Sequence, residues 1–195
     1  SAESYSLSVD FIDSNKIIFC IRVSNVNKCA TSSNTYNDGQ WHLATGVFDG
    51  ANVRLYIDGG GEAVTGEATA GPIDTPATNV RISGYNHNAN SFFDGEVDEV
   101  SIWDEALTAN EIKLLYENPL HINSLNSSWT PHFSSLAGYW KMDGNWNDSS
   151  GNENHGTASG DSAFSSTAKV GSRSGKFDGT ADVMYAADDP SFDAT

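Results

Sequence analysis

The sequence predicts an all-β protein of antiparallel strands with one short helix. Gly occurs 18 times in 195 residues, and Asn, Ser, Thr and Asp are abundant, which is typical of many short strands joined by turns. Several short segments alternate apolar with polar residues, as half-buried strands do. Hydrophobic residues make up 38% of the chain, so the sequence can build a core despite its acidity.

The first strand is predicted at residues 5–11, where apolar and polar residues alternate, and the second at 16–23 (KIIFCIRV). Strands at 40–48 and 53–57 are joined by an Asp-Gly turn. Residues 62–79 are small and polar and predict a loop with room for one short strand. Further strands are predicted at 79–83, 93–103, 136–142, 176–177 and 183–185.

The helix is predicted by a capping box, in which the Thr108 hydroxyl and the Glu111 carboxylate each accept a hydrogen bond from a free backbone N–H. Ile112, Leu115 and Tyr116 follow at helical spacing, and Pro119 ends the pattern. Residues 118–135 show no clear period and are predicted to be a linker.

The charge excludes several function classes. There are 26 acidic and 10 basic residues, a formal charge of −16, which argues against binding to nucleic acid or to anionic lipid. No apolar run approaches the ~20 residues of a membrane span, so we expect no membrane insertion. Few Lys and Arg with many Asp and Asn suit a secreted or cell-surface protein and supply oxygen ligands for hard cations.

The two cysteines, Cys20 and Cys29, flank a predicted hairpin turn at residues 24–27. Facing positions on a hairpin fit a disulfide, which a secreted protein could keep. Two free thiols are the alternative.

Several motifs together resemble a known family. Residues 41–44 (WHLA), 53–59 (VRLYIDG), 93–103 (FDGEVDEVSIW) and 106–112 (ALTANEI) resemble the second half of a laminin-G-like jelly-roll domain. Residues 138–140 (GYW), 148–152 (DSSGN), 155–156 (HG) and 177–180 (FDGT) resemble its first half. This family has the concanavalin A-like sandwich fold, so the resemblance implies an antiparallel jelly-roll β-sandwich.

The order of the two halves is reversed relative to the family. Residues 1–117 correspond to its second half, 118–135 to a linker and 136–195 to its first half. Either the chain is one permuted sandwich, or it carries halves of two tandem domains. The family's apolar strand with a Trp is not recognised at either end of the sequence. Its absence predicts an open edge that a neighbouring copy could fill.

The resemblance implies a calcium site made by Asp98 of the last strand, the turn residues Asp178 and Gly179, and Asp143. The alternative is that these carboxylates only accept backbone N–H bonds in turns. An EF-hand starting at Asp143 is rejected, because Asp148 replaces the required Gly and Asn154 the required Glu. The 143–156 loop is therefore predicted to be a structural Asx-turn region.

We predict no enzymatic activity. Glucanases on this sandwich carry carboxylates alternating along one strand, but Val100 follows Glu96 and Asp98 where the third would stand. We expect instead a carbohydrate-binding module, because sugars bind to aromatic faces, amides and carboxylates in loops. Trp146 lies in a polar loop, where a core role is not expected; it is a candidate sugar contact, and plain surface or interface packing is the alternative. The other candidate sugar contacts are Tyr85, Asn86, His87 and Asn88.

The sequence thus predicts a non-catalytic, extracellular carbohydrate-binding or adhesion module with a structural calcium ion and a polysaccharide or glycan partner. The alternative function is a structural repeat unit of a surface filament or stalk, completed by strand exchange between copies.

Overall fold

The computed structural model describes residues 4–10, 15–75, 77–84, 92–119 and 133–193. Strands make up 43% of the structure and helical residues 11%, and the sheets are antiparallel, which confirms the predicted all-β sandwich class. The chain divides into two compact units. The first unit contains residues 2–76 and 105–134, and the second contains residues 77–104 and 135–193.

The first unit consists of two three-stranded sheets and one helix. The first sheet has the order β1 (Tyr5–Asp10), β2 (Lys16–Val23), β3 (Val26–Thr31), and the second has the order β4 (Ala44–Phe48), β5 (Asn52–Ile57), β6 (Glu62–Ala68). Alternate residues are buried along β2 and β5, as expected for strands with one face in a core. These buried residues, with Ala30 and Ile73, form the core of the unit.

The β2–β3 hairpin is closed by a two-residue turn. Both turn residues, Ser24 and Asn25, have positive φ angles, of 51° and 63°, as a type I′ turn requires. This turn sets Cys20 directly opposite Cys29, and the structure joins them in a disulfide. The hairpin therefore carries a covalent link between its strands.

The helix α1 (Ala109–Glu117) has the predicted capping box, with Thr108 at the N-cap and Glu111 at the third helical position. Ile112 and Leu115 are buried, which fixes the helix to the first unit. Among the described residues, no helix is both long and apolar enough to cross a lipid bilayer.

The second unit pairs strands from two distant parts of the chain. Its strands are β7 (Val80–Ile82), β8 (Asp94–Val97), β9 (Val100–Trp103), β10 (Leu136–Trp140), β11 (Thr157–Ser159), β12 (Ala163–Ser165), β13 (Ser174–Asp178) and β14 (Val183–Ala186). The three sheets have the orders β10-β9, β11-β14-β7 and β12-β13-β8. Trp140, Phe177 and Met184 lie at the centre of their common core.

Four predicted elements differ from the structure. The strand predicted at 93–103 is interrupted at Asp98 and Glu99, and β6 occupies 62–68, where a loop with one short strand was expected. The strand predicted at 40–48 begins only at Ala44, and the hairpin turn predicted at 24–27 is confined to residues 24 and 25. Most of the predicted 118–135 linker lies outside the described residues. The predicted division into 1–117, 118–135 and 136–195 concerns halves of the family and stays a prediction.

Candidate functional site

Three carboxylates, those of Asp98, Glu99 and Asp143, interact in the second unit. Asp98 and Glu99 form the break between β8 and β9, and Asp143 follows β10. Glu99 has a φ of 55°, a conformation uncommon for a residue with a side chain, and this turns the backbone out of the strand path. We call Asp98, Glu99 and Asp143 the carboxylate cluster.

Asp98 binds the segment before β13. Its Oδ2 accepts hydrogen bonds from the backbone N–H groups of Lys169 and Val170, at 2.8 and 2.9 Å. Its Oδ1 is buried and has no hydrogen-bond partner among the described residues. Burial raises the pKa of Asp98 above its usual value, the two N–H donors oppose this, and the charge of Asp143 adds to it.

Glu99 accepts a short hydrogen bond from the Tyr139 hydroxyl through its Oε2. Its Oε1 is buried and lacks a partner in the described part of the chain. Burial raises the pKa of Glu99 to about 7; the Tyr139 hydrogen bond lowers it, while the charges of Asp98 and Asp143 raise it. The cluster thus holds two buried carboxylate oxygens that accept no hydrogen bond from any of the described residues.

Asp143 also holds the segment before β13. Its Oδ1 accepts from the backbone N–H groups of Ser172 and Arg173, at 2.6 and 3.0 Å, and from the Ser172 hydroxyl at 3.2 Å. The backbone donor of Ser172 is the main reason that the pKa of Asp143 is lowered, although burial opposes it. Asp143 is therefore the member of the cluster that is held as an anion.

The structure brings Asp98 and Asp143 together, but it places Asp178 and Gly179 elsewhere. In the β8–β13 pair, Asp178 lies opposite Asp94, four residues before Asp98, or about 13 Å along the strand. Asp178 accepts from the Thr180 N–H, and the Gly179 N–H donates to the Phe93 carbonyl. In the described ranges, no group of three His, Cys, Asp or Glu side chains is already arranged to hold a metal ion.

Glu99 and Tyr139 are the members of this site that the sequence did not reveal. Glu99 follows Asp98 in a predicted continuous strand, where it would face the opposite side from Asp98. The break at 98–99 removes that alternation. The only sequence signal that could have indicated the break is the pair of adjacent acidic residues, Asp98 and Glu99, just before the apolar residues that end the predicted strand.

The expectation that Trp146 has no core role is wrong. Its ring lies 4.3 Å from the ring of Phe164 and 5.9 Å from that of Phe177, measured between centroids, and it packs against the core of the second unit. The side chain is half-buried. Tyr85, Asn86, His87 and Asn88 lie outside the described residues, so sugar contact at that loop stays a prediction.

The loop between β10 and β11 is organised by the buried Asp148. Its Oδ1 accepts from the Tyr139 and Ser150 N–H groups, and its Oδ2 accepts from the Ser150 hydroxyl and the Asn154 N–H. These four hydrogen bonds satisfy the carboxylate, as expected for a structural Asx-turn loop.

The segment around Glu96 does not have the arrangement of a glucanase strand. Glu96 lies on β8, whereas Asp98 lies in the break after it, so the two do not alternate along one strand. This geometry does not present the aligned carboxylates of the related glucanases.

The chain belongs to the concanavalin A-like lectin/glucanases superfamily, in its laminin G-like branch: a model of that family matches residues 1–113, more than half of the sequence. The match confirms the resemblance over that range; the resemblance of residues 136–195 and the reversed order stay predictions. No curated protein and no solved structure matched the chain. Domains of this kind are in general carbohydrate-binding or adhesion modules, mostly extracellular and non-catalytic.

Proposed function

We propose that the protein is a non-catalytic extracellular module that binds a polysaccharide or glycan and is stabilised by calcium. Membership of the laminin G-like family is the observation that carries this proposal. The Cys20–Cys29 disulfide supports an extracellular location, because disulfides persist in oxidising compartments. The formal charge of −16, from 26 acidic and 10 basic residues, favours a neutral partner such as a sugar over a polyanion.

Sugar binding is proposed at the loop of Trp146 and at the 85–88 loop. The half-buried Trp146 ring keeps part of its surface accessible, and an exposed aromatic surface is what a sugar ring needs. We would measure binding of the full chain to a glycan array. Trp146→Ala and Asn86→Ala should each weaken the signal.

Because Trp146 also packs on the core, its loss needs a control. Phe164→Leu disturbs the same aromatic packing but keeps the indole. Loss of binding in Trp146→Ala but not in Phe164→Leu supports a sugar contact. Equal signals for parent, Trp146→Ala and Asn86→Ala would reject both loops as the site.

Calcium is proposed at the carboxylate cluster. The two buried oxygens without partners, Asp98 Oδ1 and Glu99 Oε1, are the supporting observation, because a buried carboxylate oxygen is costly unless a donor or a cation satisfies it. Ca²⁺ takes six to eight oxygens, so backbone carbonyls and water must complete the set. The carboxylates must also move closer together on binding, since no ready-made group is present in the described residues.

The calcium proposal is tested by thermal unfolding with Ca²⁺ and with a chelator. Binding to the folded state alone raises Tm, so the chelator should lower it, and Asp98→Asn should remove the difference. Asp178→Asn is the matched control and should keep the Tm difference between Ca²⁺ and chelator. If Asp178→Asn alone loses this Tm difference, the site lies at the Asp178–Gly179 turn. If the parent shows no Tm difference, calcium binding is rejected.

The alternative function is a structural repeat unit completed by strand exchange. The pairing of β7, β8 and β9 with strands from residues 136–186 supports closure within one chain, and so favours the autonomous module. The native mass in solution separates the two. A particle of 20.9 kDa supports the module, whereas a larger regular assembly supports strand exchange.

A further inference from the structure

His42, in the first unit, lies between two carboxylates. Its Nδ1 is 2.8 Å from Asp58 Oδ2, and its Nε2 is 3.1 Å from Asp38 Oδ1. Asp58 belongs to the turn that follows β5, and Asp38 belongs to the loop that precedes β4. The imidazole therefore connects two segments that are 20 residues apart in the chain.

Both contacts can be hydrogen bonds only when His42 is protonated. An ionised carboxylate has acceptors and no donor, whereas a neutral imidazole has one N–H and one lone pair. In the neutral ring, one nitrogen lone pair would face a carboxylate oxygen and repel it. The imidazolium instead donates to both carboxylates, and such charge-assisted bonds are the stronger kind.

The contact with Asp38 is the one that loss of the proton releases. Asp58 is held from a second direction, since its Oδ1 accepts from the Leu43 N–H at 3.0 Å. Its side chain is 26% exposed, whereas that of Asp38 is 54% exposed and can turn into water. The neutral ring would therefore donate from Nδ1 to Asp58 and lose its hydrogen bond with Asp38. Asp38 would then keep only the bond from the Gln40 N–H, at 2.9 Å, which lies within the same loop and does not tie it to the turn after β5.

The other groups beside His42 hold the start of the same loop. The Tyr36 ring meets the imidazole edge-on at 4.8 Å, and its hydroxyl donates to Glu62 Oε2 at 2.6 Å. Glu62, on β6, also accepts from the N–H groups of Ser33 and Asn34. The segment that can respond to the proton is therefore 37–41, between Tyr36 and His42.

We propose that His42 is a proton-dependent clamp that fixes the 37–41 segment to the turn after β5 when the imidazole is protonated and releases it when the proton is lost. In an extracellular module, this clamp would make the order of a surface loop depend on the pH of the surroundings.

The electrostatics of the site agree with this proposal. Burial lowers the pKa of His42, but the hydrogen bonds and charges of Asp58 and Asp38 outweigh it, and the pKa is raised above its usual value of about 6.5. A raised folded-state pKa stabilises the fold fully below pH 6.5, and this stabilisation is lost as the pH rises through the folded pKa. The Gln40 N–H and His42 lower the pKa of Asp38, so the clamp also persists into mild acid.

The test is an NMR titration of the full chain that follows the histidine ring protons and the backbone amides. His42→Gln identifies the His42 signal. We expect the His42 pKa to lie above 6.5 and the amides of residues 37–41 to titrate with the same midpoint. The Leu43 amide, bound to Asp58, should shift far less.

Asp38→Asn should lower the His42 pKa, and Asp104→Asn, which removes an exposed carboxylate of the second unit, should leave it unchanged. If His42→Gln does not fold, the one ring signal that Asp38→Asn moves identifies His42. A His42 pKa at or below 6.5, an unchanged pKa in Asp38→Asn, or a different midpoint for residues 37–41 would each overturn the clamp.

Discussion

Gly66, on β6, lies close to the backbone of β3. A methyl group added to it would lie 2.1 Å from the Cys29 carbonyl oxygen and 2.8 Å from the Ala30 Cα. The Gly66 backbone has no positive φ, so the close approach alone requires glycine. Gly66→Ala is therefore a direct test of how tightly these two strands are packed.

The magnitude follows from the distance. Ordinary contact with the added methyl begins at 3.4 Å, so the strands must separate by about 1.3 Å. A side chain could rotate away, but Cys29 contributes backbone atoms and is tied to Cys20 by the disulfide. We therefore expect the upper part of the usual range for overpacking, about 3 kcal/mol lost from the free energy of unfolding.

The assay is thermal unfolding of the full chain. A loss of about 3 kcal/mol corresponds to a Tm lower by about 6–12 °C for a protein of this size. Gly61→Ala is the matched control: its φ is −56° and its nearest neighbour is 3.6 Å away, so it should stabilise slightly, by about 0.5 kcal/mol. A Gly66→Ala protein that melts within about 2 °C of the parent would refute the packing of β6 on β3.

Three further outcomes are expected. Phe177→Ala should lower the free energy of unfolding by about 3–5 kcal/mol, because the ring is 1% exposed; a loss below about 1 kcal/mol in urea unfolding would contradict this. Thr108→Ala should lose about 1 kcal/mol by removing the capping box of α1, while Thr167→Ala serves as an exposed control. Without calcium, the raised pKa of Glu99 means that the folded protein keeps a proton that the unfolded chain releases, so stability should fall between about pH 4.5 and pH 7. Discounted for partial exposure, this fall is about 2 kcal/mol, and Glu99→Gln should abolish it in a pH series of melting curves.

Local features could be predicted from the sequence because their partners are close in the chain. The capping box depends on two residues three positions apart. The β2–β3 hairpin and the facing Cys20 and Cys29 also lie within one short segment, although the turn occupies residues 24 and 25 and not the predicted 24–27. The alternation in β2 likewise reflects one buried face. Each of these patterns is complete within ten residues.

The candidate site depends on distant partners, and no local pattern shows them. Asp98 interrupts its strand because its carboxylate binds the N–H groups of residues 169 and 170, more than 70 positions away. Trp146 belongs to the core because Phe164 and Phe177 pack against it. The predicted metal ligands lie apart for the same reason, because the register of β8 with β13 places Asp178 opposite Asp94 and not beside Asp98.

The long separation of β8 and its partner β13 along the chain also affects how the protein folds during its synthesis on the ribosome. β8 ends at Val97 and β13 begins at Ser174, so a ribosome adds more than 70 residues between them, which takes roughly 4–15 s at typical elongation rates. During this interval the nascent chain displays the unpaired backbone edge of β8 without the strand that pairs with it. Closing so long a loop also gives the second unit a high contact order, so it should fold slowly after release and depend more on chaperones than the hairpins of the first unit.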